Sequence, residues 1–237
     1  MRFLIIIFFV LTSNFVFSEN IVKDEPLIPS TVDDLPLIEL LDNVKKDIFI
    51  IILTGDGGWA NIDRDVGNYF AKDGYGVIGF DCLKYFLTKR TPDETAKDIG
   101  RVIKYYSKKI KIDRVVIIGY SFGADVLPFV LNRLFIDESK KVKYSVFMGI
   151  SNNAAFEFHL GSLVGIKDSG QEYRTLPEVK KINSQKLFFI AGEKEEDSLV
   201  KKLDRNKYNI SVLKGGHHFG GNYKEIAKLI KKLIVSD

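Results

Sequence analysis

The sequence predicts an α/β fold with a mostly parallel sheet that helices cover on both faces. The chain has 237 residues, enough for one domain with a sizeable core. Short runs of apolar, often β-branched residues alternate with segments whose apolar residues recur at helical spacing. Continuous apolar strands separated by helices are typical of parallel sheets that are buried on both faces.

Six apolar runs are predicted core strands, and a weaker run at residues 35–41 is a predicted edge strand. The core strands are expected at residues 49–53, 76–80, 115–118, 145–149, 187–190 and 210–213. Helices are expected at residues 62–72, 92–106, 124–134 and 226–234. The second of these helices has a clear start signal, because Thr91 is a suitable N-cap, Pro92 suits the first turn, and Glu94 completes a capping box.

The first 18 residues are predicted to be a secretory signal peptide. An apolar run at residues 3–11 follows a basic start, and Val16 and Ser18 suit the −3 and −1 positions of a cleavage site before Glu19. An uncleaved N-terminal anchor is the alternative, although the apolar run is short for a membrane span. We therefore expect a periplasmic or otherwise exported protein.

The remainder of the chain divides into an arm and one domain. Residues 19–44 are expected to form an N-terminal arm with the edge strand, and residues 45–237 to form the α/β domain. Residues 151–184 interrupt the alternation of strands and helices, and they are rich in Asn, Gly and aromatic residues. We interpret them as a cap-like insertion. The only cysteine is Cys82, which excludes an intrachain disulfide.

Composition and motifs exclude several functional classes. The net charge is +4, and lysines are scattered along the chain without a basic block, so no nucleic-acid partner is expected. The chain lacks a Walker lysine ending and a dinucleotide fingerprint after a strand. It also lacks the clustered histidines and cysteines of a zinc site. We therefore predict neither a cofactor nor a metal.

The most informative motif is Gly119-Tyr120-Ser121-Phe122-Gly123, which joins the third predicted core strand to a predicted helix. A G-x-S-x-G sequence in this context is the nucleophile elbow of the α/β-hydrolases. The elbow is a sharp, strained turn in which side chains two positions either side of the serine would clash. It places the serine hydroxyl at a helix N-terminus that favours developing negative charge. The sequence thus predicts an α/β-hydrolase fold with Ser121 as nucleophile.

A histidine base is expected to serve this serine, since imidazole titrates near neutral pH. The sequence Gly215-Gly216-His217-His218-Phe219 follows the last predicted strand, where the catalytic histidine of this fold occurs. His218 fits the usual Gly-x-x-His-Phe ending and is the preferred base. His217 is the alternative.

A carboxylate is needed to orient the base and stabilise the imidazolium. The loop after the fifth predicted strand contains several acidic residues. Asp197 stands three residues before Val200, which fits an Asp-x-x-Val pattern common in this fold, and is the preferred acid. Glu195 stands three residues after Gly192 and is the alternative.

The tetrahedral oxyanion of an acyl transfer requires backbone N–H donors. One predicted donor is Phe122, which directly follows the nucleophile. The other is Asp56 or Gly57, in the glycine-rich turn 54–59 that follows the first core strand. Trp59 ends this turn and is predicted either to pack in the core or to line the substrate site.

Four segments together resemble the VirJ bacterial virulence proteins and the C-terminal domain of AcvB. They are TGDGGW at residues 54–59, TPDET at 91–95, GYSFGADVLP at 119–128 and GGHHF at 215–219. The resemblance spans about residues 45–235. It implies an exported serine hydrolase that cleaves lysyl-phosphatidylglycerol, an aminoacylated membrane lipid, and a link to type IV secretion.

The resemblance assigns Ser121 and a histidine of residues 215–219 to catalysis. It also implies a lipid head group as substrate, transient contact with a membrane surface, and secretion-system proteins as partners. Three acidic residues are then candidate contacts for a lysyl cation, namely Asp56, Asp125 and Glu157. Two alternatives stay open, namely a non-catalytic exported accessory protein of a secretion system, and a lipase or thioesterase of other specificity.

Overall fold

Seven strands form the central sheet of the computed structural model, which describes residues 31–158 and 173–235. These strands are β1 Leu37–Leu40, β2 Phe49–Leu53, β3 Gly76–Phe80, β4 Val115–Tyr120, β5 Val142–Met148, β8 Leu187–Gly192 and β9 Asn209–Leu213. The two remaining strands, β6 Asn153–Ala154 and β7 Tyr173–Arg174, pair with each other outside this sheet.

The strand order is β1-β3-β2-β4-β5-β8-β9. Strand β1 is antiparallel to β3 at one edge, and the other six strands are parallel to one another. The predicted mostly parallel sheet of six core strands with an added edge strand is therefore confirmed. Parallel order brings the carboxyl ends of these strands to one edge, which is where open α/β sheets bind ligands.

Helices cover both faces of the sheet, as predicted. They are α1 Asn61–Lys72, α2 Cys82–Phe86, α3 Pro92–Ile110, α4 Phe122–Leu131, α5 Ile136–Lys141, α6 Thr175–Lys180 and α7 Tyr223–Val235. Helices α1 and α7 pack together, and α3 and α4 also pack together. Single-turn 3-10 helices occur at Ser184–Lys186, Leu199–Lys202 and Phe219–Gly221.

Burial on both faces of the sheet explains why strand β2 is apolar at every position. All five of its residues are buried. Phe49, Ile51 and Leu53 belong to the core cluster that includes α3 and α4, whereas Ile50 and Ile52 belong to the cluster that includes α1 and α7. Alternate side chains of a strand point to opposite faces, so a strand covered on both faces has no polar positions.

Helix α3 begins at the predicted signal. The Thr91 hydroxyl accepts a hydrogen bond from the Glu94 N–H, and the Glu94 carboxylate accepts one from the Thr91 N–H, with Pro92 at the helix start. The helix continues beyond the predicted end to Ile110. Lys111 terminates it in the left-handed conformation, with a φ of 57°.

The arm before the domain is fastened by a buried guanidinium. Arg101 of α3 pairs with Asp34 and Asp98, and it also donates to the carbonyl of Thr31. This network holds the segment leading into β1 against α3. The predicted signal peptide, residues 1–18, lies outside the described residues.

The predicted insertion at residues 151–184 departs from the alternation of sheet strands and helices. Its described parts contain the β6–β7 pair and α6, while residues 159–172 lie outside the described residues.

Helices α2 and α5 are short and were not predicted. The described residues include no helix long and apolar enough to cross a membrane.

Trp59 closes the turn that follows β2 by packing against two glycines. An ideal Cβ on Gly67 of α1 would lie 2.5 Å from the indole, and one on Gly79 of β3 would lie 2.6 Å from it. Both positions therefore need glycine so that the indole can lie between α1 and β3. The indole fixes the end of a turn that lies beside Ser121.

The substitution Gly79→Ala should destabilise the protein by about 1–3 kcal/mol, because the new methyl group would overlap the Trp59 indole. The measurement is the free energy of unfolding in urea. Gly57→Ala is the matched control, since an ideal Cβ on Gly57 meets no atom within 4 Å. Equal stability of the two variants would contradict this packing account.

Candidate active site

Ser121 lies at a sharp turn between β4 and α4. Its φ of 51° and ψ of −117° are strained for a residue with a side chain, and its N–H donates to the carbonyl of Met148. An ideal Cβ on Gly119 would lie 2.6 Å from the Gly123 oxygen, and one on Gly123 would lie 2.1 Å from the Leu53 oxygen. The steric need for both glycines of the motif is thus confirmed.

The imidazole that reaches Ser121 belongs to His217. Its Nε2 lies 2.7 Å from the Ser121 hydroxyl oxygen, and its Nδ1 forms a short hydrogen bond with Glu195. The preferred base, His218, has a different partner, because its Nδ1 lies 2.9 Å from the Tyr120 hydroxyl. We therefore correct the predicted arrangement, and the alternate histidine occupies the position beside the serine.

Tyr120 contacts both histidines, whose rings also meet each other edge to face. Its ring stacks on His217 with 5.4 Å between centroids and 29° between planes, while its hydroxyl binds His218. The chain then turns, since the Phe219 N–H donates to the carbonyl of Gly216 and the Phe219 ring is buried. The Gly-x-x-His-Phe pattern located this loop correctly, but the turn directs the first histidine to the serine.

The carboxylate that reaches the histidine belongs to Glu195. One of its oxygens binds His217, and the other accepts a hydrogen bond of 2.8 Å from the Gly192 N–H. The preferred acid, Asp197, is exposed, and its backbone carbonyl accepts a hydrogen bond from Asn152. The predicted assignment is therefore corrected here as well, in favour of the alternate acid.

A tight turn explains the position of Glu195. The Glu195 N–H donates to the carbonyl of Gly192, which folds the carboxylate back towards the end of β8. The neighbouring Lys194 N–H donates to the carbonyl of Gly215, which joins this turn to the histidine loop. The acid and the base are thus held by backbone contacts between their two loops.

Gly149 is a site residue that the sequence analysis missed. It follows β5 with a φ of 64°, and an ideal Cβ there would lie 2.8 Å from the His217 ring and 3.1 Å from the Glu195 carboxylate. Its missing side chain makes room for the acid–base pair. The only available signal was a glycine at the end of the predicted strand 145–149.

The electrostatic environment raises the pKa of His217. The hydrogen bond to Glu195 is the main cause, and burial opposes it by disfavouring the charged form. The charges of Glu195, Asp125 and Asp56 raise the pKa further. The site thus stabilises an imidazolium ion, which is the species formed when a histidine takes a proton from a serine.

Asp125 is already used within the protein. Its carboxylate accepts hydrogen bonds from the Ser151 N–H at 2.6 Å and from the Ser151 hydroxyl at 2.8 Å. Burial raises its pKa to about 7. Asp125 therefore tethers α4 to the chain after β5, and the predicted substrate contact becomes a structural one. Trp59, the other predicted substrate contact, packs between α1 and β3.

The turn after β2 lies directly against the nucleophile. An ideal Cβ on Gly55 would lie 3.5 Å from Cβ of Ser121 and 3.1 Å from the Tyr120 ring. Phe122 is the first residue of α4, so its N–H belongs to the group of donors that have no acceptor within the helix. The two predicted sources of oxyanion donors therefore flank the same serine.

Hydrogen bonds within this turn leave several N–H groups unused, including those of Asp56 and Gly57. Gly58 donates to the carbonyl of Gly55, and Gly55 donates to the carboxylate of Asp63. Within the described part of the chain, the Asp56 and Gly57 N–H groups have no acceptor. These two groups are the candidates for the second oxyanion donor, as the sequence predicted.

A cavity of about 320 Å³ adjoins the acid–base pair. It is lined by Gly149, Ile150, Ser151, residues 194–198 and His217. Exposed carboxylates of Glu196 and Asp197 form part of its wall. Across residues 31–158 and 173–235, no three histidine, cysteine or acidic side chains are grouped to hold a metal ion.

Comparison with known families places this chain in one of them. The model of the family described as bacterial virulence protein (VirJ) matches residues 47–236. The chain belongs to the VirJ family. This VirJ-family chain has no match among curated proteins.

The fold of this VirJ-family protein is that of the α/β-hydrolases. It is similar to MenH from S. aureus, with a TM-score of 0.62, 14% identity, and coverage of 84% of this chain and 97% of that chain. It is also similar to the esterase Pf2001 from Pyrococcus furiosus, with a TM-score of 0.60, 16% identity, and coverage of 85% and 91%. Est1E from Butyrivibrio proteoclasticus gives a TM-score of 0.56, 12% identity, and coverage of 84% and 92%.

The two neighbouring histidines should differ in their effect on serine reactivity. His217→Gln should slow phosphonylation of Ser121 by a fluorophosphonate probe by at least about 10³-fold, because it removes the base. His218→Gln is the matched control and should change the rate by less than about 10-fold. The measurement is the rate of probe incorporation into folded protein. A larger loss in the His218 variant would contradict the corrected assignment.

Proposed function

We propose that this protein is an exported serine esterase of the VirJ family. The observation that carries the proposal is the continuous line of hydrogen bonds from Ser121 through His217 to Glu195. A nucleophile, a base and an orienting acid in this geometry are the parts that acyl transfer requires. Export is inferred from residues 1–18, whose composition favours a secretory signal.

In the proposed mechanism, the Ser121 hydroxyl attacks the ester carbonyl while His217 takes its proton. Glu195 accepts a hydrogen bond from Nδ1 of the ring, so Nε2 is the nitrogen that faces the serine. The Phe122 N–H and the turn after β2 bind the oxyanion. The imidazolium then protonates the leaving alcohol, and a water molecule activated by the same histidine releases the acyl group.

The same geometry argues against a non-catalytic accessory protein. Three features of the site impose costs or sequence limits that a binding surface does not require. They are the strained backbone of Ser121, the burial of Glu195, and the lack of room for a side chain at Gly149. A protein that kept only the fold for protein contacts would have no need to keep these three features together.

The proposed substrate is the aminoacyl ester of lysyl-phosphatidylglycerol. The carboxylates of Asp56 and Glu195 act on His217, and Glu196 and Asp197 outnumber Lys194 in the wall of the adjoining cavity. A concentration of negative charge favours an ester whose acyl group carries cationic amines, and it disfavours a fatty acyl chain. This supports an aminoacyl substrate over the lipase and thioesterase alternatives.

Contact with an anionic membrane surface is part of this proposal. The rings of Phe86 and Phe122 lie 5.0 Å apart, which places the end of α2 beside the nucleophile. The next residue, Leu87, is 54% exposed, and the exposed Lys89 follows it. An apolar side chain beside a cationic one suits the interface of an anionic bilayer. Secretion-system proteins are proposed partners on family resemblance alone.

Purified protein comprising residues 19–237 should release lysine from lysyl-phosphatidylglycerol in mixed vesicles. Ser121→Ala should abolish this release, because it removes the hydroxyl that forms the acyl-enzyme in the proposed mechanism. The measurement is free lysine by mass spectrometry, with phosphatidylglycerol vesicles as the blank. Lysine release that persists in the Ser121→Ala variant would contradict the mechanism. If the wild type hydrolyses simple esters but not lysyl-phosphatidylglycerol, only the proposed lipid substrate is wrong.

The pH dependence of ester hydrolysis should report the acid–base pair. The base must be neutral, and Glu195 raises the pKa of His217, so activity should rise with pH with a midpoint above the ordinary histidine value. Glu195→Gln should move that midpoint down and lower the plateau by about 10²–10⁴-fold. Asp197→Asn is the matched control and should leave both unchanged with an uncharged ester, because the only hydrogen bond at Asp197 among the described residues is to its backbone carbonyl. A pH–rate profile of kcat/KM decides between these outcomes.

A further inference from the structure

Asp63 is a buried carboxylic acid that the proposed mechanism does not use. It lies in the first turn of α1, and only 2% of its surface is exposed. Carboxylates this deeply buried normally have a cationic partner. Within the described part of the chain, no lysine, arginine or histidine lies within salt-bridge distance of Asp63.

The carboxyl group of Asp63 contacts the glycine-rich turn at residues 54–59, which we call the oxyanion turn. One oxygen, Oδ2, accepts a hydrogen bond of 3.4 Å from the Gly55 N–H. The other, Oδ1, is buried and has no hydrogen-bond partner among the described residues. Gly55 immediately precedes the two candidate oxyanion donors and packs against Tyr120 and Ser121. The contact therefore fixes the amide at the start of the turn.

The groups that face Asp63 are acidic or neutral. Asp56 lies in the oxyanion turn, and Asp81 caps α2. The Cys82 thiol lies at the start of α2, and the Tyr120 hydroxyl lies at the end of β4. An ionised carboxyl here would be repelled by both aspartates and would leave one charged oxygen unsolvated. A neutral acid avoids both costs and still accepts the Gly55 hydrogen bond.

We propose that Asp63 is a positioning residue that holds the oxyanion turn through Gly55, and that it acts as the uncharged acid. This inference rests on the proposed esterase function and adds a group that does not touch the substrate. Burial is the main cause that raises the pKa of Asp63 to about 8. The acid is therefore mostly protonated at neutral pH, and it ionises as the pH rises through about 8.

Two consequences follow for the reaction. Loss of the carboxyl group frees the Gly55 amide and displaces the donors that bind the oxyanion, which lowers kcat more than it changes KM. Ionisation of the intact acid places a buried negative charge behind the donors and opposes the developing oxyanion. Activity of the wild-type protein therefore declines above about pH 8.

The test is the pH profile of Ser121-dependent hydrolysis of p-nitrophenyl acetate by four proteins. They are the wild type, Asp63→Ala, Asp63→Asn and the control Asp65→Asn, which carries the same change at an exposed position of α1. Asp63→Ala should lower kcat about 10- to 100-fold with little change in KM. Asp63→Asn should retain most of kcat, and it should lose the alkaline decline because an amide does not ionise. Asp65→Asn should behave as the wild type.

Folding is checked by thermal unfolding of each variant, and Asp63→Asn keeps the test decisive if Asp63→Ala is unfolded. An alkaline decline that persists in Asp63→Asn would overturn the inference, as would an unchanged kcat in folded Asp63→Ala. Either result in an active wild-type protein leaves the esterase proposal intact. A wild-type protein with no Ser121-dependent hydrolysis would instead remove the proposed function and this inference together.

Discussion

The hydrogen bond between Ser121 and His217 is the interaction on which the functional account depends. The two residues are 96 positions apart in the chain, and 2.7 Å separates their atoms. This approach exists because the parallel sheet brings the carboxyl ends of β4, β8 and β9 to one edge. The serine follows the first of these strands, the acid the second and the base the third. The fold thus turns three distant loops into one site.

Close backbone approach is the second constraint on the site. Gly123 lets the start of α4 lie against the end of β2, and Gly149 leaves space for the imidazole and its carboxylate. Gly192 approaches the carbonyl of Gly216, where an ideal Cβ would lie 2.2 Å from the oxygen. Each contact joins a different pair of loops, so the spacing of the reacting groups is set by backbone geometry more than by side-chain packing. A rigid frame of this kind reduces the motion that would misalign a nucleophile and its base.

Much of the fold could be predicted from sequence because the strands carry a strong local signal. A strand such as Phe49–Leu53 is apolar throughout because both of its faces are buried, and the Thr91 capping box marks a helix start by hydrogen bonds within four residues. The sharp turn at Ser121 was also predictable, since it needs glycines at fixed positions. These features depend on neighbours in the chain, so the sequence records them directly.

The hydrogen-bond partners of Ser121 were not predictable to the residue, because their positions depend on contacts between distant loops. His217 and His218 are adjacent, and the choice between them is made by the Tyr120 ring and by the turn that buries Phe219. Glu195 is selected over Asp197 by a turn whose bonds reach Gly192 and the histidine loop. Trp59 was ambiguous for the same reason, since its packing depends on two glycines outside its own turn. Patterns locate such loops, but three-dimensional contacts determine which side chain points inward.

The most direct test of this account is to trap the acyl-enzyme. Folded protein would be mixed with excess p-nitrophenyl acetate, quenched in acid within the first turnover, digested and analysed by mass spectrometry. The account predicts one acetyl group on the peptide that contains Ser121, formed together with an equal amount of p-nitrophenol. Rapid hydrolysis without any acylated peptide, or an acetyl group that accumulates on another residue during turnover, would contradict Ser121 as the nucleophile.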